Sequence, residues 1–562
     1  MKWRYFTIIS VIIISHIFLV FNIYNLQFNK GAFYSAQAQY QNNASGILES
    51  ERGNIYFTDK NNNLIPAVLN KDYSVIFAVP KEIQESSAPL AGQANKLGEI
   101  LKKISLILNI PTEDLEKKLN KKNDLYELLA QKATNEQVEQ INRLDIKGIY
   151  VKKQKLRFYP FGSLASHLIG FVSPTNDKEI AKYGNTQIGR YGLELEFNDL
   201  LTGQAGSFNN SRIIKPENGK DLILTLDRNI QAQSEEILKN LADKWSVSGG
   251  SIIVQEPKSG KILSMASFPD FDPNNYQEFE IKNFLNPVIQ SVYEPGSVFK
   301  LITMATGIDS GKITPETTYV DSGSITLNGK TIRNWDLKAY GKQTMSNVIE
   351  HSINTGSVFA ERKIGHDIFY NYLAKFGINE LTDIDLPGEV RGNINNLKNG
   401  KEIDFATVSF GQGVAVTPIR LISAISAIAN GGVLMKPLIS ADDKPEVARR
   451  IVSKDSAHKV IEMMVSAVKK NFIADISNYN IAGKTGTAFI PDFKNGGYDT
   501  NQVIHTYVGF APANDSKFVI LIKLDKPSAP LAGQTVVPAF RELAQFILNY
   551  YNVAPDDLTA IQ

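Results

Sequence analysis

The feature that most constrains this chain is a lysine placed inside an apolar helix. Lys300 follows Ser297 by three residues, and the positions after it are almost wholly apolar through Ala305. The pattern predicts a buried helix whose start is marked by Pro295 and Gly296. Residues three apart lie on one face of a helix, so the fold must bury an amine beside a hydroxyl.

Such a pair has a chemical use. Burial disfavours the charged ammonium of Lys300, and a second nearby cation disfavours it further, so its pKa should fall from the usual value of about 10.4. A serine hydroxyl is a weak nucleophile that needs a base within hydrogen-bond reach. Ser297 as nucleophile and Lys300 as base therefore form a candidate catalytic pair.

Two later motifs supply the other groups that serine acyl transfer needs, Ser352-Ile353-Asn354 and Lys484-Thr485-Gly486-Thr487. Ser352 can relay a proton to a leaving amine, and Asn354 can hold a substrate amide. Lys484 is the expected second cation, and with the Thr485 hydroxyl it is suited to hold a substrate carboxylate.

The same short patterns also occur elsewhere, as Ser456-Ala457-His458-Lys459 and Ser207-Phe208-Asn209. We interpret these as a solvated helix face and a polar loop. The sequence context separates the first set from them. Glu294-Pro295-Gly296 precedes its serine, an apolar helix follows the serine, and an extended run follows Lys484.

Composition excludes several other classes of site. The 562-residue chain has a net charge of +2, no cysteine and six scattered histidines. Disulfides and thiolate sites are excluded, and the histidines lack metal-ligand spacing, so we expect no metal and no cofactor. Neither a basic bias nor a glycine-rich phosphate loop is present, and we expect no nucleic-acid partner.

The N-terminus predicts a membrane anchor. Lys2 and Arg4 precede an apolar run over residues 5–24, which is long enough to cross a bilayer. The positive end should stay in the cytoplasm, so the rest of the chain should face outward. A cleaved signal peptide is the alternative, but the run exceeds a usual signal-peptide core.

Periodicity divides the remainder into two domains. Extended and helical segments alternate over residues 47–226, with a strand at 73–78 and helices at 93–108 and 112–119. A helix at 228–244 opens the second domain, a hairpin follows at 250–266, and three late strands are predicted at 481–488, 504–511 and 517–524 before a helix at 536–550. This order predicts an α+β fold, an antiparallel sheet covered by helices.

The three motifs resemble those of penicillin-binding proteins and serine β-lactamases. The resemblance widens to class B penicillin-binding proteins through the segments Arg52-Gly53-Asn54-Ile55-Tyr56, Arg157-Phe158-Tyr159-Pro160, His167-Leu168-Ile169-Gly170-Phe171 and Gly192-Leu193-Glu194. It implies a cytoplasmic tail (1–4), a transmembrane anchor (5–24), a linker (25–46), a mixed α/β pedestal or dimerisation-like domain (47–226), a transpeptidase domain (227–555) and a C-terminal tail (556–562).

The resemblance also implies an activity. Ser297 would attack a peptidoglycan stem peptide and pass the acyl group to an amine. β-Lactams would acylate the same serine. The backbone N–H groups of Ser297 and Thr487 would donate hydrogen bonds to the oxyanion. Glu294-Pro295-Gly296-Ser297 and Asn354 favour the division type. A membrane glycan polymerase and division-complex proteins are the implied partners in the bacterial cell membrane. A carboxypeptidase or β-lactamase, and a non-catalytic penicillin sensor or scaffold, remain alternatives.

Overall fold

A computed structural model gives the fold. It describes residues 2–24, 47–48, 50–86, 94–121, 124, 126–175, 178–179, 186–209, 212–492 and 496–557. The whole of the predicted linker (25–46) and most of the C-terminal tail (556–562) lie outside these residues.

The predicted anchor falls within the first helix, α1 (Lys2–Tyr24). Among the described residues, no helix combines the length and the apolar character needed to cross a membrane. The anchor at 5–24 therefore stays a prediction.

The first domain is built on a five-stranded sheet with small accessory strands. The strands are β1 (Ile47–Leu48), β2 (Ile55–Thr58), β3 (Ile65–Ala78), β4 (Glu127–Ala133), β5 (Ile149–Phe158), β6 (Val172–Pro174), β7 (Gln187–Gly189), β8 (Gly206–Asn209), β9 (Arg212–Ile214) and β10 (Leu222–Asp227). The helices are α2 (Pro80–Ser86), α3 (Ala94–Leu108), α4 (Thr112–Leu119), α5 (Asn135–Arg143), α6 (Ser166–Ile169), α7 (Gly192–Glu196) and α8 (Asn198–Thr202). The sheet order is β10-β2-β3-β4, with β5 also paired to β3.

A buried ion cluster organises this domain. The Glu194 carboxylate, fully buried on α7, accepts hydrogen bonds from Nε of Arg52 at 2.8 Å and from Nε of Arg157 at 2.6 Å. Nη1 of Arg52 also donates to the side chains of Asn198 and Thr202 on α8. The cluster thus connects the segment before β2, the end of β5 and helices α7 and α8. Arg52, Arg157 and Glu194, which belong to the resembling segments, therefore have a structural role.

The second domain begins with helix α9 (Arg228–Trp245), which follows β10 directly. Its further strands are β11 (Gly249–Gln255), β12 (Ile262–Phe268), β13 (Thr318–Asp321), β14 (Ser324–Leu327), β15 (Lys330–Arg333), β16 (Gly341–Thr344), β17 (Val433–Met435), β18 (Val447–Arg450), β19 (Ala482–Pro491), β20 (Tyr498–Ala511) and β21 (Phe518–Asp525). Its further helices are α10 (Pro287–Gln290), α11 (Lys300–Asp309), α12 (Met345–Glu350), α13 (Asn354–Ile364), α14 (His366–Lys375), α15 (Glu402–Val408), α16 (Pro418–Ala429), α17 (Lys454–Asn471) and α18 (Val536–Tyr550).

The central sheet has the order β12-β11-β21-β20-β19, and every neighbouring pair in it is antiparallel. Helices α9 and α18 share one apolar core with this sheet. A larger core holds α11 and α16 with the other helices of the block between β12 and β19. Strand β19 forms one edge of the sheet, where part of its backbone has no strand partner.

Candidate active site

The predicted nucleophile lies on a tight turn at the start of the buried helix. Ser297 belongs to a 3-10 turn, Gly296–Phe299, that continues into α11 at Lys300. Sequence reasoning predicted an α-helix here. In a 3-10 turn residues three apart are eclipsed, so the two side chains still share a face. Ser297 is half-buried, while Lys300 is fully buried.

The Lys300 amine is held by groups of the second motif. Its Nζ donates to the Ser352 carbonyl oxygen at 2.6 Å and to Oδ1 of Asn354 at 2.8 Å, and lies 3.3 Å from Oγ of Ser352. Burial, and secondarily the charge of Lys484, lowers its pKa well below the ordinary value. A neutral amine has two N–H bonds, which the two short contacts use, so its lone pair remains available to accept a proton.

The second motif lies in the turn between α12 and α13. Ser352 has a φ of +58°, a left-handed conformation that is uncommon for a residue other than glycine. Its hydroxyl accepts a hydrogen bond from Nζ of Lys484 at 3.0 Å. One hydroxyl therefore lies between two lysine amines, as a proton relay requires.

The third motif lies on the edge strand β19. Lys484 is 4% exposed, and its Nζ also donates to the carbonyl and hydroxyl oxygens of Thr485 at 3.1 and 3.4 Å. Burial lowers the pKa of Lys484 to about 7. The sequence analysis expected Lys484 to be a second cation; with this pKa, the amine is charged below neutral pH and loses its charge above it.

The turn before Ser297 packs tightly on this strand. A Cβ on Gly486 would lie 2.5 Å from the Pro295 carbonyl oxygen, and one on Gly296 would lie 2.8 Å from that of Thr487. Gly296 also has a φ of +58°. Glycine at both positions therefore lets β19 approach the serine turn, which brings Thr487, an exposed residue, next to the nucleophile's segment.

Sequence reasoning missed a buried network behind the second motif. Oδ1 of Asn334 accepts hydrogen bonds from the backbone N–H groups of Asn354 and Thr355, the first two residues of α13, at 3.1 and 3.3 Å. Its Nδ2 donates to Oδ2 of Asp321, and the Thr355 hydroxyl donates to Oδ1 of the same carboxylate. The capping residue lies twenty positions upstream of the helix, so no local sequence pattern at the helix start predicts it.

The next residue, Trp335, remains 59% exposed. Its indole N–H donates to the carbonyl oxygen of His351 at 3.3 Å. Since His351 immediately precedes Ser352, this fixed indole lies beside the second motif.

A half-buried carboxylate also lies three residues before the predicted nucleophile in the chain. The two oxygens of Glu294, three residues before Ser297, lie 3.2 and 3.0 Å from the Tyr498 hydroxyl, which donates to them. The backbone N–H of Gly413 donates to Oε1 at 3.0 Å. Sequence reasoning used Glu294 only as part of the motif context.

The decoy motifs lie elsewhere. Ser456 is buried, which corrects the interpretation as a solvated face, and its N–H donates to the hydroxyl of Ser453, the N-cap of α17. Lys459 pairs with Asp455 on the surface of this helix. Ser207-Phe208-Asn209 lies in the accessory strand β8.

Comparison with known proteins matches both domains. Residues 250–545 match the family model described as the penicillin binding protein transpeptidase domain, and residues 47–234 match the penicillin-binding protein dimerisation domain. Stage V sporulation protein D of Bacillus subtilis strain 168 is 31% identical over 537 residues, which are 88% of this chain and 79% of the relative.

Two further comparisons agree. Peptidoglycan D,D-transpeptidase FtsI of Buchnera aphidicola subsp. Baizongia pistaciae strain Bp is 32% identical over 481 residues, 81% of each chain. The crystal structure of Penicillin Binding Protein 2X from Streptococcus thermophilus shares the fold, with a TM-score of 0.71 and 24% identity over 90% of this chain and 81% of that one. With its dimerisation domain ahead of its transpeptidase domain, this chain belongs to the class B penicillin-binding proteins of the division type.

Proposed function

We propose that the protein is a serine D,D-transpeptidase that cross-links peptidoglycan. Ser297 attacks the penultimate D-alanyl carbonyl of a stem peptide while Lys300 takes the hydroxyl proton. The N–H groups of Ser297 and Thr487 stabilise the oxyanion. Ser352 delivers a proton to the departing D-alanine, and an amine of a second strand then displaces the serine from the acyl-enzyme.

The other motif residues bind the donor. Lys484 and Thr485 hold its terminal carboxylate, Asn354 holds its amide, and the donor lies along the backbone of Gly486 and Thr487 on β19. β-Lactams acylate the same serine. The supporting observation is the run of contacts from Lys300 through the Ser352 hydroxyl to Lys484, which leaves a buried amine without a carboxylate partner among the described residues.

We further propose that residues 5–24 anchor the protein in the bacterial cell membrane, with both domains outside the cytoplasm. Support comes from the sequence, in which positive charge precedes the apolar run. A membrane glycan polymerase that supplies the acceptor strand is the expected partner. A role in division, with division-complex proteins, follows from the relatives of the FtsI type.

Labelling of the intact protein with a fluorescent penicillin tests this function. The label should be covalent, and mass spectrometry of the labelled peptide should find it on Ser297. A label on another residue, or no covalent label, would refute the assignment. A thioester donor offered with a D-amino acid should then give the amide adduct in preference to the free acid, which a hydrolase would not do.

A further inference from the structure

Glu294 joins three segments around the nucleophile. It lies on the turn that precedes Ser297. Its partner Tyr498 is the first residue of β20, at the end of the β19–β20 hairpin where the two strands are connected. Its other partner, Gly413, belongs to the loop after α15. That loop also contacts the turn directly, since the N–H of Gly296 donates to the carbonyl oxygen of Gly411. The carboxylate therefore lies where the serine turn and the hairpin meet.

Among the described residues, this carboxylate has hydrogen-bond donors but no cationic partner. Both of its donors are neutral, and within the described part of the chain no lysine, arginine or histidine pairs with it. Burial raises the pKa of Glu294 to about 7. Desolvating a carboxylate without a counter-charge is costly, and a ligand bearing positive charge would offset that cost.

The substrate supplies such a charge. Cross-linking requires an amine on the acceptor stem, and because both strands belong to one polymer the donor stem carries the same amine. At neutral pH this group is an ammonium. We propose that Glu294 binds a primary ammonium group of the stem peptide, with Tyr498 and the Gly413 N–H orienting its carboxylate.

This assignment rests on the proposed transpeptidase function and adds a specificity-determining site to it. The ammonium has two sources. A donor ammonium would be bound while Ser297 is acylated. An acceptor ammonium would be bound only afterwards, and it must pass a proton to the neutral Lys300 amine before its nitrogen attacks the acyl-enzyme, because an ammonium has no lone pair. The two cases affect different steps, and kinetics separates them.

The test compares wild type with Glu294→Gln, which keeps an oxygen to accept both hydrogen bonds. Donors are a pair of stem-peptide thioesters whose side-chain amine is free or acetylated. For a donor ammonium, the variant loses about ten- to hundredfold in kcat/KM for acylation by the free amine and nothing for the acetylated form. For an acceptor ammonium, acylation is unchanged for both, and the ratio of adduct to hydrolysis falls by a similar factor.

Two controls keep the proposal falsifiable. Tyr498→Phe removes a hydrogen bond but keeps the charge, so most of the preference for the free amine should survive. Glu361→Gln removes another buried carboxyl, on α13, and should leave the preference intact.

A Glu294→Gln defect that is the same for free and acetylated donors, with an unchanged adduct ratio, would overturn the proposal, as would a Tyr498→Phe defect of equal size. Failure of wild type to form any acyl-enzyme would refute the transpeptidase function instead.

The pH profile gives a further readout. Tyr498 is the titratable side chain that faces Glu294, and its pKa is raised, so Glu294 alone of the two titrates between pH 6 and 8. For a donor ammonium, the free-amine preference should therefore increase across this range as the carboxylate forms. For an acceptor ammonium, the advantage of wild type over Glu294→Gln in the adduct-to-hydrolysis ratio should increase instead. Lys484 also titrates near pH 7, but its effect is common to both donors and cancels in their ratio. If neither quantity changes from pH 6 to 8, the proposal is contradicted.

Discussion

At the residue scale, the Ser352 hydroxyl lies between two buried amines, those of Lys300 and Lys484. Ser297→Ala should abolish covalent penicillin labelling, whereas Ser456→Ala should retain it, because Ser456 supports a helix start. Lys300→Ala should slow acylation by at least about 10²–10⁴, the usual contribution of a general base. Gel fluorescence after timed labelling measures both. Undiminished labelling of Ser297→Ala would refute the site.

Lys484 leads to a prediction on pH. Its pKa of about 7 means that the ammonium is present below neutral pH and is lost as pH rises. The kcat/KM preference for a donor with a free carboxylate over its methyl ester should therefore fall between pH 6 and 9, by about tenfold or more. Acylation rates for the two donors across this range measure it. A constant preference would mean that Lys484 does not hold the carboxylate.

At the element scale, the start of α13 depends on a cap from another segment. Asn334→Ala should lower the free energy of unfolding by about 1–2 kcal/mol, because two N–H groups lose their acceptor. It should also slow acylation, since Asn354 begins this helix. Urea unfolding and penicillin labelling measure the two effects. Asn61→Ala, at an exposed site, is the control and should change stability by less than about 0.5 kcal/mol.

The elements differ in how far sequence could predict them. The hairpin at 250–266 and the helix at 536–550 correspond to β11, β12 and α18, because period and length are local signals. The strand predicted at 504–511 begins instead at Tyr498. Tyr498 and Asp499 pair with β19, but the polar run at 499–502 lacks the apolar alternation that would predict a strand. Motif spacing identified the candidate lysines and serines. The Asn334 cap and the Glu294–Tyr498 contact join residues far apart in sequence, and spacing carries no information on them.

At the scale of the whole molecule, a carboxyl joins the two domains. Glu235 on α9 accepts hydrogen bonds from the Ala165 N–H at 2.6 Å and from Nε2 of Gln231 at 2.7 Å. Burial raises its pKa to about 7. A carboxyl with a raised folded-state pKa stabilises the fold fully below its unfolded value near 4.5, and this contribution is lost as pH rises through about 7.

The contribution of Glu235 to the free energy of unfolding should therefore decrease from pH 5 to pH 8. Over this range the change in stability should be about 1–3 kcal/mol more favourable in Glu235→Gln than in wild type. The amide keeps an oxygen for the Ala165 N–H but cannot ionise. Urea unfolding of both proteins at the two pH values measures the difference. Glu294 and Glu361, whose pKa values are also raised to about 7, act in the same direction. The lowered pKa values of Lys300, Lys484, His167 and His505 act in the opposite direction. These effects are common to both proteins and cancel in the comparison. Identical pH slopes for the two proteins would contradict the prediction.

The position of Trp335 should allow the intrinsic fluorescence of the protein to report acylation. The chain has three tryptophans, Trp3 in α1, Trp245 at the end of α9, and Trp335 with its ring in solvent beside the second motif. Acylation by an unlabelled penicillin should change the indole emission at the rate of the covalent step, without a dye or a coupled assay. Stopped-flow fluorescence would record it, and Trp335→Phe should abolish the signal while Ser297 is still acylated. A signal that survives this substitution would come from one of the other two indoles.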